Sequence, residues 1–180
     1  MREVVESLLA DYPNFTSINA SAENTLLLEN SIDLVLAGQA FHWFDANAFR
    51  SECKRVLKPN AYCALIWNER LENTEFLKAY EALILKYATD YESINHKNIS
   101  KEQIDAFYFP SQCKVETFLN QQIFDFEGLR GRLESSSYIP NSGASNYDGM
   151  IDELEVLFQS YQENNLVMIH YEMKLYYGRL

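Results

Sequence analysis

Two short apolar runs, SIDLVLAG (31–38) and AYCALIW (61–67), flank one helical pattern, and this arrangement restricts the fold more than any other feature of the chain. Leu34–Ala37 are four apolar residues in succession, which suits a strand covered on both faces. Asp45 can cap the segment ANAFRSECKRVL, whose Phe49, Cys53, Val56 and Leu57 form one stripe. Lys58-Pro59-Asn60 stops that helix, and Asn60 can take the left-handed conformation at its end. Strand, helix and strand in this order predict a βαβ unit with a right-handed crossover and a parallel sheet.

On the N-terminal side, Val4, Val5, Leu8 and Leu9 recur at helical spacing, Tyr12-Pro13-Asn14 ends that helix, and FTSIN (15–19) is a short strand candidate. On the C-terminal side, Phe76, Leu77, Tyr80, Leu83, Ile84 and Tyr87 lie on one helix face. Ser100 with Gln103 predicts a capping box for SKEQIDAFY. Residues 113–126 favour a strand, 152–163 a helix and 166–180 a long alternating strand, while Gly128–Gly131 and 139–149 read as loops. Successive β segments without a crossover predict that the sheet ends in antiparallel strands. The expectation is one α/β domain over 1–180, with a helical insertion or lid at 70–112.

Lys and Arg total 15 against 26 Asp and Glu, a net charge of −11. Such a surface repels phosphate backbones and anionic membranes, so neither nucleic acid nor membrane is an expected partner. No apolar run approaches a membrane span, and MREVVESLLADYPN reads as an amphipathic acidic helix, not a signal peptide. Cys53, Cys63 and Cys113 have no close spacing, which excludes a CxxC pair and suits a reducing, cytoplasmic location. His96 and His170 lack metal-ligand spacing, so no metal is expected.

Chemistry is most legible in AGQAFHWFD, at the carboxyl end of the first buried strand, where open α/β sheets bind ligands. Gly38 allows close backbone approach or positive φ. The Gln39 amide both donates and accepts, which suits a zwitterion. Phe41, Trp43 and Phe44 can form an aromatic wall against a sulfonium, or simply close the end of the core. His42 is a candidate base or substrate contact, with a structural hydrogen bond as the other reading.

These residues also carry a resemblance. DLVLAGQAFHWFD, followed by ECKRVLKPNAYCALIWNER, resembles the fourth and fifth strands of class I S-adenosylmethionine-dependent methyltransferases. More narrowly it is similar to the trans-aconitate methyltransferase-like subgroup of small-molecule enzymes. The family's A-x-Q-A-x-H-W-F and R-x-L-K-P-G-G are represented here by AGQAFHWF and RVLKPNA, with Asn60 and Ala61 in place of the two glycines. The resemblance implies a Rossmann-like sheet, a small-molecule methyl acceptor and S-adenosyl-L-methionine as cofactor. It places Ala22 and Glu23 of SINASAEN beside the adenine, and Ala37, Gly38, Gln39, Ala40, Phe41 and Trp43 along the cofactor. It implies acceptor-side roles for Trp67, Arg70, Arg130 and Tyr138. The arginines, Arg132 included, then either meet a carboxylate or lie at the surface and helix ends. Phe107, Tyr108 and Phe109 suit a lid or plain core.

The family's acid-x-Gly-x-Gly-x-Gly motif and its ribose-binding acid have no counterpart, for no glycine precedes Gly38. The opening helix resembles the one that follows the ribose acid, so the resemblance has the chain begin after strand one, helix one and strand two. It thus implies an N-terminally incomplete, truncated sheet and weakened cofactor binding. It also implies an open apolar edge on strand 32–37, available to residues 15–19, to a second copy in a homodimer, or to a separate N-terminal piece. A non-enzymatic, self-associating or regulatory module is the alternative function.

Overall fold

The βαβ unit forms as its pattern requires. A computed structural model describes residues 2–89 and 99–180, and His96 lies outside them. Strand β1 (Ile32–Gly38) leads through a short 3₁₀ turn at Phe41–Trp43 into helix α2 (Ala46–Val56), and then into β2 (Leu57–Arg70), parallel to β1. The Asp45 carboxylate accepts from the backbone N–H groups of Asn47 and Ala48 at 3.0 and 2.9 Å, which caps α2. Asn60 has the expected left-handed φ of +69°, but not at the helix end: α2 stops at Val56, and Asn60 lies within β2 where the register against β1 shifts between Leu57 and Tyr62. Phe49, Cys53, Val56 and Leu57 are all buried.

Four further helices are α1 (Arg2–Leu8), α3 (Glu75–Tyr87), α4 (Lys101–Tyr108) and α5 (Phe126–Glu134), with α6 (Tyr147–Tyr161) completing the set among the described residues. Strands β3 (Lys114–Phe124) and β4 (Val167–Gly178) pair antiparallel, β4 also pairs antiparallel with β2, and the sheet order is β1-β2-β4-β3. Ser100 and Gln103 form the capping box of α4 in both directions. Helices α3 and α4 occupy much of 70–112.

Side chains alternate across the sheet, so it has two separate cores. On one face Ala37, Cys63, Leu65 and Trp67 pack with Phe49 and Cys53 of α2 and Ile104, Phe107 and Tyr108 of α4. On the other, Val167, Ile169 and Tyr171 pack with α3, α5 and α6. Phe107 and Tyr108 are therefore core residues, while Phe109 is exposed.

Three expectations need correction. Residues 15–19 are irregular, and β1 gains no partner from them; Ser21 and Asn24 instead close a tight turn. Strand β1 is not covered on both faces: only Ala37 is buried, and Leu34 and Leu36 are 53% and 56% exposed. The run of four apolar residues does mark a strand, but it lies at the sheet edge and, among the described residues, no helix covers its Leu34 side, where a sheet interior was predicted. Gly128 and Gly131 are not in a loop but within α5. Asp125 accepts from Gly128 N–H at 2.8 Å, and Leu129 and Leu133 anchor the helix in the core, so capping and burial outweigh the low helix propensity of glycine.

Candidate active site

Because β1 and β2 are parallel, their carboxyl ends lie on the same side, with Gly38 opposite Ile66. Positive φ falls on Gln39 (+52°), not on Gly38. Gln39 is held there by its N–H, which donates to Ile66 O at 2.9 Å, and by its side-chain amide, which donates to Asn68 O at 3.2 Å. These bonds tie the exit of β1 to the end of β2, and Ala40 then leads into the aromatic turn.

That turn divides the expected aromatic wall. Phe41 points inward, its ring centroid 4.9 Å from Phe107 and 6.1 Å from both Phe49 and Trp67. Phe44 packs on Phe49 at 4.8 Å. Trp43 is 60% exposed, with the His42 ring 5.0 Å away. Burial lowers the pKa of half-buried His42, which keeps its imidazole neutral at pH 7. Phe41 and Phe44 thus close the core, and the Trp43 ring is left outside it.

The 21–24 turn lies against this segment. Ala22 packs on the same core as Phe41, and the Glu23 carboxylate accepts from Asp45 N–H at 3.2 Å. A buried carboxylate supports the turn from behind. Glu52 accepts from Thr25 N–H at 2.8 Å and from its hydroxyl at 2.5 Å. Arg55 donates to Glu52 at 2.7 and 2.8 Å and to Leu27 O at 2.8 Å. The Arg55 hydrogen bond first, with those of Thr25 adding to it, holds the Glu52 carboxyl down at about 2. Thr25 and Leu27 are thereby strapped to α2.

The predicted acceptor residues do not all come together. Trp67 lies on the α2/α4 face, edge-on to Tyr176 at 5.7 Å, whereas Arg70, three residues on, lies on the opposite face across from Tyr171. Tyr138 packs on that second face as well, so Trp67 and Tyr138 do not line one pocket. Arg70 is ion-paired to Glu81 with both side chains 11% exposed, and its guanidinium lies 5.0 Å from the Tyr80 ring. Arg130 donates to Glu134 at 2.9 Å and to the Tyr147 hydroxyl at 3.1 Å, an i,i+4 pair along α5. Arg132 donates to the Tyr171 hydroxyl at 3.3 Å and to Ser136 and Ser135 at 3.3 and 3.4 Å. Sequence reasoning did not bring Asn68, Tyr80 and Tyr171 together with these residues. The alternation of β4 marks Tyr171 as inward, but its position opposite Arg70 requires the assembled sheet.

Residues 1–65 match the family described as Methyltransferase domain. An uncharacterized methyltransferase of Schizosaccharomyces pombe is 28% identical over 88% of this chain and 62% of its own length. One from Mycobacterium bovis is 34% identical over 46% of this chain and 34% of its own length. The chain thus spans less than two thirds of these relatives. In three dimensions, a protein assigned as a type II methyltransferase in Anaeromyxobacter dehalogenans superposes with a TM-score of 0.64 at 20% identity, over 93% of this chain and 73% of the other. A Bacillus halodurans protein assigned as a methyltransferase superposes at 0.53 and 17% identity, over 98% and 77%. The fold is that of a methyltransferase. The chain has the mixed α/β sheet expected of that fold, and none of its described helices is long and apolar enough to cross a membrane.

Proposed function

We propose that this chain is an S-adenosylmethionine-dependent methyltransferase domain acting on a small molecule that bears a carboxylate, as the resemblance to the trans-aconitate subgroup implies. The observation that carries the cofactor assignment is the Glu23–Asp45 contact. It joins the 21–24 turn, which the resemblance places beside the adenine, to Asp45 at the end of the segment that the resemblance places along the cofactor, and both lie within the matched residues 1–65.

Ala22, Glu23, Gln39 and Trp43 would hold the cofactor, which when bound supplies an electrophilic methyl group for in-line displacement. The exposed Trp43 ring attracts a sulfonium through its π face. Phe41 and Phe44 exclude water from beneath, and the Gln39–Asn68 bond keeps the two strand ends in register. His42, uncharged at neutral pH, takes the proton of a hydroxyl or amine acceptor at a ring nitrogen. Calorimetric titration with S-adenosylhomocysteine tests this reading. Micromolar binding that weakens about tenfold in Trp43→Ala supports it, and no heat up to about millimolar ligand sinks it.

A second reading rests on β1. Its unpaired edge, with Leu34 and Leu36 more than half exposed, is a surface for strand pairing with a second copy. Light scattering tests it: a dimer that dissociates in Leu36→Lys supports self-association, and a monomer at all concentrations excludes it.

A further inference from the structure

Resting on the reading of a small-molecule methyltransferase, we propose that Arg132, with the hydroxyls of Tyr80 and Tyr171, forms the subsite that takes a carboxylate of the acceptor. Of the three arginines singled out above, Arg70 is neutralised by Glu81 and Arg130 by Glu134. Arg132 is half-buried, and among the described residues no carboxylate pairs with it; its bonds go only to neutral hydroxyls. Withdrawing a guanidinium from water without a counter-charge is costly, all the more conspicuously in a chain of net charge −11. An anionic ligand removes that cost.

Tyr171 and Tyr80, which share one core cluster, both act electrostatically on Arg132, and their hydroxyls are donors. Tyr80 is 1% exposed, and its hydroxyl has no hydrogen-bond partner among the described residues. Burial pushes its pKa far up, so it stays protonated and can only be satisfied by accepting or by donating to something absent from the described side chains. The Tyr171 oxygen already accepts from Arg132, which leaves its proton for another acceptor. Three donors, with the nearby Glu81 carboxylate committed to Arg70, make a site for an anion. One net positive charge matches a single carboxylate, whereas a phosphate dianion needs a second cation.

The location suits an acceptor. Tyr171 is opposite Arg70 at the carboxyl end of β2, on the face that also carries Asn68. Asn68 is the residue whose carbonyl receives the Gln39 amide, and its own side-chain oxygen is buried without a partner among the described residues. The end of β2 thus runs from the candidate cofactor segment to the arginine cluster within two residues.

The test is titration of ¹⁵N-arginine-labelled chain with succinate, reading the Arg132 Nε–H resonance, with succinamide and inorganic phosphate as parallel probes. Succinate is expected to bind, with affinity about tenfold lower in Arg132→Gln, unchanged in Arg130→Gln, and absent for succinamide. Tyr80→Phe removes only an unpartnered hydroxyl and keeps the ring, so it folds and is expected to weaken succinate about threefold. No succinate binding, equal binding to Arg132→Gln, an unaltered affinity in Tyr80→Phe, or phosphate binding tighter than succinate overturns the assignment. S-adenosylhomocysteine is titrated separately. Succinate binding without it leaves the subsite and removes the methyltransferase reading, and the reverse result removes the subsite alone.

Discussion

Glu52→Gln tests how the candidate cofactor turn is held. The carboxylate collects two bonds from Thr25 and two from Arg55, and it is 7% exposed. Its folded-state value of about 2 lies below the unfolded reference of 4.5, so the group stabilises the fold above the unfolded value and loses that contribution as pH falls toward 2. The whole difference corresponds to ~3 kcal/mol. The Arg55 side chain is 33% exposed, and solvent screening reduces the expected cost of the substitution to about 1.5–2.5 kcal/mol at pH 7. A domain of this size then loses roughly 5 °C in Tm. Urea unfolding of both proteins at pH 7, 5 and 3 is the assay. The wild-type advantage should be full at pH 7 and fall to roughly half or less at pH 3. An advantage of the same size at pH 3, or none at pH 7, would refute the charged network as the strap on residues 25–27.

Phe41→Ala and Trp43→Ala separate core from site. The first should cost about 3–5 kcal/mol in chemical denaturation, while the second should leave stability within about 0.5 kcal/mol; equal effects would mean the two rings share one role. Asn60→Gly should stabilise by about 0.5–1 kcal/mol, because φ +69° is favourable for glycine, and thermal melts that show a loss would count against that turn. Gly178→Ala places a Cβ 2.9 Å from the Tyr108 ring and 3.1 Å from Gln112 O, so it should destabilise by about 1–3 kcal/mol; an unchanged urea midpoint would contradict this packing.

Much of the fold was legible because its signals are local. The stripe of α2, the Asp45 cap, the Asn60 turn and the Ser100–Gln103 box each depend on residues a few positions apart. Where reading failed, the deciding contact was distant. FTSIN has strand-like composition, but among the described residues no neighbouring strand receives it. Gly128 and Gly131 look like loop residues, but Leu129 and Leu133 bury against β4 and α6. The aromatic segment was singled out as a candidate site, yet the sequence left open whether each ring faces core or solvent. Phe107, far along the chain, fills the space beside Phe41 and leaves Trp43 outside.

By itself, then, the sequence determined a βαβ unit and antiparallel closing strands and singled out a candidate segment after β1, since period, capping and turn chemistry act over short spans. The tertiary structure decided which of Arg70, Arg130 and Arg132 has no carboxylate partner among the described residues. Arg70 meets Glu81 and Tyr171, Arg132 meets Tyr171 from another helix, and Tyr80 is enclosed among them. Those meetings depend on strand register and helix docking, which bring together groups separated by up to a hundred residues and are encoded in no one stretch of chain.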